Sequence, residues 1–351
     1  MAYPQYSTLL WEPPLITLEL KKLYERSFES SELKEHIRQL QRPIRIDYIP
    51  KGLRVQSLTN LWQTVNWMFK DAKLIENEAS TDVSVRDFNG MSLKFYEAFN
   101  ARYTCYTDVP ELVTMIMINY LQEIFVCELF QLHIPLREVQ DLELYLRSPL
   151  FQSCKLLIIE KGAVTHSEMA QILAGFPKAQ KKKLLCYPGR DFVYDKKISV
   201  ASLTLAYSQW VSSWNLANLE SHRVKLANSN LVERDFNDFI INWLINHDKD
   251  FEYLCVRGKK REPVGYDDDN IGFEALDMGA IVDGIETTPF VMQGRLHQTF
   301  AQYRVMDFFA DGLDILGPDG SKATVLIKES LEGCQAVHFV FVVWKRTPVR
   351  V

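Results

Sequence analysis

Short apolar runs recur through the middle of the chain, and their alternation with helix-like segments constrains the fold more than any other feature. The runs have the length of β-strands and begin roughly twenty to thirty residues apart. They occupy residues 129–134, 155–159, 183–186, 202–207, 219–226 and 251–256. A single strand-plus-helix unit cannot bury its apolar face alone, so such units stack on their neighbours. The spacing predicts an α/β fold built as a leucine-rich-repeat-like strand-helix stack.

A doubly wound fold would also explain the alternation of strands with helices. The asparagine ladder of a regular leucine-rich repeat is not cleanly present in these segments. Because a doubly wound α/β domain also alternates strands with helices, it stays an alternative to the stack.

The C-terminal part has a different pattern, which is typical of an antiparallel β meander. Strand-like residues 312–316 and 322–328 flank a turn at 317–320, and residues 337–344 form a further apolar run after a loop near Gly333. Within the turn, proline presets the backbone and the final glycine permits the conformation that closes a hairpin. The fold class predicted for the whole chain is therefore α/β, with a strand-helix stack followed by this meander.

The length of the chain and its changes in composition divide it into segments. At 351 residues it exceeds the size at which one compact core usually keeps growing. The predicted segments are a helical N-terminal part (1–42), a mixed α/β part that opens with a strand at 44–48 (43–122), the repeats (123–256) and a linker with the meander (257–351).

One helix in the repeats has clear sequence signals. Asn230 and Glu233 have the spacing of a capping box, in which each side chain satisfies a backbone amide at the start of a helix. The apolar residues that follow recur at helical spacing and form one stripe: Phe236, Phe239, Ile240, Trp243 and Leu244. The helix is predicted to end at 246–248, before the strand at 251–256.

The charge balance bears on the class of partner. Lysine and arginine number 40 against 45 aspartate and glutamate, for a formal net charge of −5. Because no domain-scale basic excess could neutralise a phosphate backbone, a nucleic-acid partner is not expected. The short basic clusters 181–183 and 259–261 are interpreted as solvated loop ends.

No membrane or secretory signal is evident. Residues 112–132 form a long apolar run, but polar residues interrupt it: Asn119, Gln122, Glu123 and Glu128. This run predicts a buried amphipathic helix rather than a membrane span. The N-terminus has no signal-peptide pattern, and the six cysteines are scattered without close pairs, so a cytoplasmic or nuclear protein with reduced thiols and no bound metal is expected.

Catalytic motifs are missing from the sequence. It contains no glycine-rich phosphate loop, nucleophile elbow, kinase signature or HExxH helix, and its seven histidines lie far apart. Cys334 and His338 are close in sequence but are interpreted as a packed or solvated pair. We expect no enzymatic activity and no cofactor, although a hydrolase that uses dispersed residues stays an alternative. Trp210 and Trp214 are candidate partner contacts, and their spacing also fits a core.

Residues 219–256 resemble the F-box-associated type 2 (FBA_2) family, which is greatly expanded in nematodes. That family has a helix with the pattern Asp-Leu-Asn-x-Phe-Leu-Lys-x-Trp, followed by Leu-Glu-Tyr-Leu. The matching residues here are Asp235, Asn237, Phe239, Trp243, Glu252, Tyr253 and Leu254. Phe236 and Asn242 depart from the pattern. The family-like core extends over about 200–256, and the tail resembles the family's closing hairpin.

The resemblance implies a function in protein recognition. In that family an F-box precedes this region and binds the Skp adaptor of a cullin-type SCF ubiquitin ligase, while the associated region selects a protein substrate. The chain would then be a non-catalytic substrate receptor. Its N-terminus shows no clear Leu-Pro opening or three-helix pattern, and 15–40 is at most a remnant of an F-box. The alternative is a stand-alone interaction or decoy protein that has lost the F-box.

Overall fold

The structure is a computed structural model in which most of the chain is described. The described residues are 44–49, 52–57, 64–70, 83–88, 91–98, 102–107, 109–124, 127–137, 139, 142–246, 250–258, 276–290, 311–329 and 337–344. The predicted N-terminal helical segment 1–42, the basic cluster 259–261 and the loop near Gly333 lie outside them. The chain divides into two compact units, residues 1–133 with 149–155, and residues 134–148 with 156–351.

The elements are numbered along the chain. The strands are β1 (Ile44–Ile49), β2 (Gly52–Ser57), β3 (Thr64–Lys70), β4 (Val83–Phe88), β5 (Met91–Ala98), β6 (Arg102–Tyr106), β7 (Cys127–Ile134), β8 (Leu156–Ile159), β9 (Lys181–Leu184), β10 (Ile198–Ser199), β11 (Ser202–Leu205), β12 (Leu219–Glu220), β13 (Arg223–Ser229), β14 (Tyr253–Gly258), β15 (Thr287–Pro289), β16 (Leu313–Leu316), β17 (Lys322–Glu329) and β18 (Val337–Trp344). The helices are α1 (Pro110–Ile124), α2 (Leu142–Arg147), α3 (Pro149–Gln152), α4 (His166–Ala174), α5 (Ser213–Ala217), α6 (Glu233–Asn246) and α7 (Met278–Ile281).

The first unit contains a mixed sheet with the strand order β7-β1-β2-β3-β6-β5-β4. The β1–β7 and β3–β6 pairs are parallel, and the other neighbours are antiparallel. The strand predicted at 44–48 is confirmed as β1. The helix predicted over 112–132 is wrong from Cys127 onward, because α1 ends at Ile124 and β7 begins at Cys127. A short apolar run has no periodicity that separates helix from strand, and here parallel pairing with β1 decides for the strand.

The second unit contains a run of parallel strands in chain order, β8-β9-β11-β13-β14. Their register aligns one residue from each strand at the same level: Leu156, Lys181, Ser202, Arg223 and Tyr253. The next level holds buried side chains, namely Leu157, Lys182, Leu203, Val224 and Leu254. Successive side chains of a strand point to opposite faces. We call the face of Leu203 the inner face and the face of Ser202 the outer face.

An antiparallel meander continues this sheet, as predicted from the C-terminal pattern. β14 pairs with β18, and β17, β16 and β15 follow in order. In the turn before β17, the Gly320 amide donates to the Gly317 carbonyl at 2.8 Å, and Gly320 has a φ of 74°. That backbone conformation favours glycine, which explains why the turn could be recognised in the sequence.

Helix α6 packs its predicted stripe against the inner face. Phe236, Phe239, Ile240 and Trp243 are buried, and Leu244 is half-buried. Phe236 stacks on Phe339 of β18 with 4.1 Å between ring centroids. The apolar periodicity therefore identified both the helix and the side that faces the sheet.

The predicted capping box at Asn230 is wrong. The helix begins at Glu233, and Asp235 in its first turn accepts a hydrogen bond from the amide of the N-cap residue Val232 at 2.9 Å, which is the N3 half of a capping box. The Asn230 side-chain amide instead donates to the Gln209 carbonyl at 3.1 Å. The Asn230 side chain therefore makes a tertiary hydrogen bond and does not form the helix cap that the local pattern predicts.

Candidate recognition surface

The residues that match the FBA_2 pattern stabilise the fold. Phe239, Trp243 and Leu254 are buried, and Tyr253 is also buried, on the outer face. Asp235 caps α6, and the Glu252 carboxylate accepts a hydrogen bond from Arg223 Nε at 2.5 Å. These side chains therefore build and orient the fold and do not form one site.

Asn237 joins α6 to the short helix α7. Its Nδ2 donates to the carbonyls of Ile281 and Asp283, both at 2.9 Å. The last carbonyls of a helix have no intrahelical donor, so a side-chain amide that reaches two carbonyls at this end stabilises the terminus. The sequence places Asn237 far from α7, which explains why this role was not predicted.

Replacement of Asn237 by alanine is expected to destabilise α7 locally by about 1–2 kcal/mol, because two carbonyls lose their donor. Hydrogen exchange measured by mass spectrometry should show faster exchange of the peptide that contains Met278–Ile281. Asn242→Ala is the matched control, since its amide lies on the same helix and makes only exposed bonds that do not reach α7: Nδ2 donates to the Ala217 carbonyl at 3.3 Å, and Oδ1 accepts from Asn246 Nδ2 at 2.6 Å. Equal exchange in the two variants would contradict the role of Asn237.

The two tryptophans named as candidate contacts differ in exposure. Trp210 is buried, donates from Nε1 to the Tyr207 carbonyl at 3.1 Å and meets Phe192 edge-on at 5.1 Å. Trp214, on α5, is 47% exposed. Trp214 is thus available to a partner, whereas Trp210 has little accessible surface.

The outer face of β9, β11 and β13 carries an exposed group of cations. We call six residues there the basic strip: Lys181 and Lys183 on β9, Ser202 and Thr204 on β11, and Arg223 and Lys225 on β13. The four cationic residues are exposed, and the two hydroxyl residues are half-buried. The strip therefore has two rows of positive charge with a row of hydroxyls between them.

The basic cluster 181–183 had been interpreted as a solvated loop end, and this is wrong. The three lysines form most of β9 and alternate between the faces, so that Lys182 points inward and is 4% exposed. Its Nζ donates to the carbonyls of Leu173 and Gly175 at 2.7 Å and of Ile172 at 3.3 Å. The ammonium thus replaces the missing donors at the end of α4.

Beyond β14 the same face is covered. Tyr253, Leu326, Val340, Val342 and Trp344 form a buried apolar cluster, against which Phe290 packs. Beside it, Asp314 accepts hydrogen bonds from Thr324 Oγ1 and Lys322 Nζ, both at 2.5 Å. The outer face is therefore closed over the meander and open over β9, β11 and β13.

Cys255 and His338 approach each other across β14 and β18. The Cys255 sulfur lies 3.8 Å from His338 Nδ1, although the two residues are distant in sequence. The sequence had suggested Cys334 as the neighbour of His338, and the side chain of Cys334 lies outside the described residues. Pairing of β14 with β18, which no local pattern reveals, brings Cys255 to this position.

Burial sets the protonation of this pair. It raises the pKa of the Cys255 thiol, and a hydrogen bond with Tyr253 and nearby positive charges lower it by less. Burial also lowers the pKa of His338, together with the charges of Arg257 and Lys328. Both shifts favour the neutral thiol and the neutral imidazole. A thiolate–imidazolium pair, which nucleophilic cysteine catalysis needs, is thereby disfavoured.

Alkylation of Cys255 by iodoacetamide is expected to be slow near neutral pH. Its rate should rise only when the pH exceeds the ordinary pKa of a cysteine thiol. The reason is that the raised pKa keeps the sulfur protonated until the pH exceeds that value. Peptide mass spectrometry across a pH series measures the rate at this residue. His338→Gln should change the rate little, whereas rapid alkylation at pH 7 that is lost in His338→Gln would reveal an activated pair.

The part of the chain that the structure describes holds no candidate metal site and no candidate membrane-spanning helix. No group of three or more histidine, cysteine, aspartate or glutamate side chains there could hold a metal ion. None of the helices described is both long and apolar enough to cross a membrane. A pocket of about 130 Å³ lies between α5 and α6, lined by Leu216, Ala217, Leu219, Phe239, Asn242, Trp243, Asn246 and Phe251. This volume is well below the roughly 300 Å³ of typical small-molecule sites.

Comparison with known proteins gives one distant relative. The chain is 22% identical over 271 residues to the E3 ubiquitin-protein ligase hecw-1 of Caenorhabditis elegans, and the match covers 69% of this chain and 21% of that protein. The chain thus spans about a fifth of the length of the curated relative that it matches. No family model matches the sequence, and no solved structure is significantly similar.

Proposed function

We propose that this chain is a non-catalytic protein-recognition module of the ubiquitin system, and that it contacts its partner through the basic strip. The observation that carries the proposal is the open outer face of β9, β11 and β13. Rigid strands hold polar side chains toward solvent there, while the inner face is filled by the core. A rigid scaffold positions binding residues, and strands hold them more precisely than loops do.

The proposed fold is a leucine-rich-repeat-like stack of the FBA_2 type. Two features of the second unit support it: its parallel strands β8, β9, β11, β13 and β14 align at one level, and within this set the strand order follows the chain without reversal. A doubly wound sheet reverses its strand order at the point where its ligand binds. The aligned parallel strands favour a stack, which presents one continuous face to a partner.

The proposed role as a substrate receptor of an SCF-type ubiquitin ligase rests on the FBA_2-like pattern in residues 219–256. The distant similarity to an E3 ubiquitin-protein ligase supports only the broader link to the ubiquitin system. The Skp adaptor would bind an F-box, and residues 1–42, where a remnant was predicted, lie outside the described residues. The competing proposal is a stand-alone interaction protein without an adaptor.

The absence of catalysis is also part of the proposal. The Cys255–His338 pair supports it for one type of chemistry, cysteine nucleophilic catalysis, since both pKa shifts oppose formation of a thiolate at this position. In this proposal the chain acts by binding one protein and presenting it to others.

Site-specific photo-cross-linking tests the proposal. The full chain would carry a photoreactive residue at Thr204 in the basic strip, or at Gln171 on the exposed side of α4 as the control. A defined protein band cross-linked in cell extract from Thr204 but not from Gln171 is the expected result. Co-purification of the Skp adaptor would favour the ligase role, and its consistent absence would favour the stand-alone alternative. No protein cross-linked from Thr204 would refute recognition at this face.

A further inference from the structure

We infer that the basic strip binds an extended, acidic segment of a protein partner. This inference rests on the proposed function and deepens it, because it names the chemistry of the ligand. The spacing of the cations, the hydroxyls between them and the distribution of charge on the molecule all fit such a ligand.

The spacing of the cations matches an extended chain. Residues two apart on one strand are about 6.4–6.8 Å apart, which separates Lys181 from Lys183 and Arg223 from Lys225. β9 and β13 lie on either side of β11, so the two rows of cations are about 10 Å apart. An extended segment that lies along β11 has the same repeat along its length, because it is itself a β-type backbone.

Such a segment would place its side chains alternately toward the two rows. Side chains of an extended backbone alternate in direction, so consecutive carboxylates point in turn toward the Lys181 row and the Lys225 row. Ser202 and Thr204 lie beneath the segment and can hydrogen-bond to its carbonyls or carboxylates. A run of consecutive acidic residues therefore uses both rows at once, which a helix or a single phosphate would not.

The charge distribution supports an acidic ligand. The whole chain has a formal charge of −5, yet the outward positions of β9, β11 and β13 carry no carboxylate. Of the four cations in the strip, Arg223 is paired with Glu252, and Lys225 lies 5.8 Å from the ring centroid of Tyr253. A positive face on a negative molecule steers acidic partners to one orientation.

Two more cations lie on the outer face at the edge of the meander. Arg257 of β14 and Lys328 of β17 are half-buried on either side of His338 of β18. Burial and these two charges lower the pKa of His338, which favours the neutral imidazole between them. Because the outer face is closed there, these two charges are not counted in the basic strip.

A protein ligand fits better than a nucleic acid. Single strands are bound through aromatic side chains on which the bases stack, together with positive charge. The outward positions of β9, β11 and β13 hold no aromatic residue, and Tyr253 beside them is buried. The strip therefore offers charges and hydroxyls but no surface for base stacking.

A peptide titration tests the inference. The full chain would be titrated into a fluorescent peptide with a run of consecutive glutamates, a matched glutamine peptide and a single-stranded oligonucleotide, with anisotropy as the readout. Binding of the glutamate peptide alone is expected, and it should weaken with added salt. The triple variant Lys181→Gln, Lys183→Gln, Lys225→Gln is expected to weaken it about tenfold or more. The double variant Lys178→Gln, Lys196→Gln, at exposed sites outside the strip, should bind like the parent.

The outcomes separate this inference from the proposed function. Equal binding of the parent and the triple variant, or preference for the oligonucleotide, would overturn the acidic-segment inference. If a protein still cross-linked at Thr204 in that case, recognition at the face would stand with a different ligand chemistry. Tight peptide binding that depends on the three lysines, without any cross-linked protein, would support the acidic site and refute the proposed function. Circular dichroism and thermal melting would confirm that the exposed substitutions leave the fold intact.

Discussion

Phe341→Ala is expected to lower the free energy of unfolding of the second unit by about 4 kcal/mol, the largest effect that we expect from one apolar substitution. Phe341 lies on the inner face of β18 and is fully buried. Its ring meets Trp243 at 5.3 Å, Phe239 at 5.4 Å and Phe251 at 6.2 Å between centroids. Alanine would remove the ring and leave a cavity among aromatic groups that cannot collapse without losing contacts with one another.

Urea denaturation followed by tryptophan fluorescence and far-ultraviolet circular dichroism measures this loss. Because the chain has two compact units, the two signals should first be compared for coincidence. Phe341→Leu keeps much of the volume and should lose clearly less stability. Trp214→Ala removes a large but 47% exposed ring and should cost less than about 1 kcal/mol. An effect of Phe341→Ala no larger than that of Trp214→Ala would show that the aromatic cluster is not packed as described.

Lys182→Met is expected to destabilise the same unit by about 2–3 kcal/mol, even though methionine is more apolar and of similar length. The Lys182 ammonium is the donor for the carbonyls of Ile172, Leu173 and Gly175 at the end of α4. Methionine fills the space but donates no hydrogen bond. The buried carbonyls would then lose their partner, which costs more than the apolar side chain gains.

Lys183→Met is the matched control, because it makes the same substitution one residue along β9 on the exposed face. It should change stability by no more than about 0.5 kcal/mol. Chemical denaturation gives the free energies, and hydrogen exchange of the peptide spanning His166–Ala174 reports the local effect at α4. Equal stability of the two variants would mean that the Lys182 ammonium contributes nothing net to the fold.

The aromatic cluster around Phe341 shows which contacts the sequence could predict and which it could not. The stripe of Phe236, Phe239 and Trp243 could be recognised because helical periodicity is a local property. Their partner Phe341 lies about a hundred residues along the chain, and only pairing of β14 with β18 brings it to α6. The FBA_2 resemblance also rests on local pattern, and the residues that carry it are largely those that the core and the helix termini require.

The basic strip, which we propose as the recognition surface, could not be predicted from the sequence. The cations of the basic strip belong to two strands, so no single segment shows them as a group. The lysine run 181–183 by itself resembles a solvated loop end, and only strand pairing shows which lysine faces solvent and which faces the core. The apolar residues that follow the lysine run indicate a strand. Strict alternation along that strand assigns Lys182 to the core and its two neighbours to solvent. Local charge favoured the loop interpretation because lysine is seldom buried without a partner.

The sequence by itself determined the alternation of strands and helices, the apolar side of α6 and the closing meander, since each follows from periodicity or turn chemistry within a short segment. The tertiary structure decided which residues share a face. It buried Lys182 at the end of α4, placed Cys255 beside His338 and aligned Lys181 with Arg223 across β11. These placements depend on hydrogen bonds between strands that are distant in the chain, and the register of such pairs is set by the packing of the whole sheet rather than by any one segment.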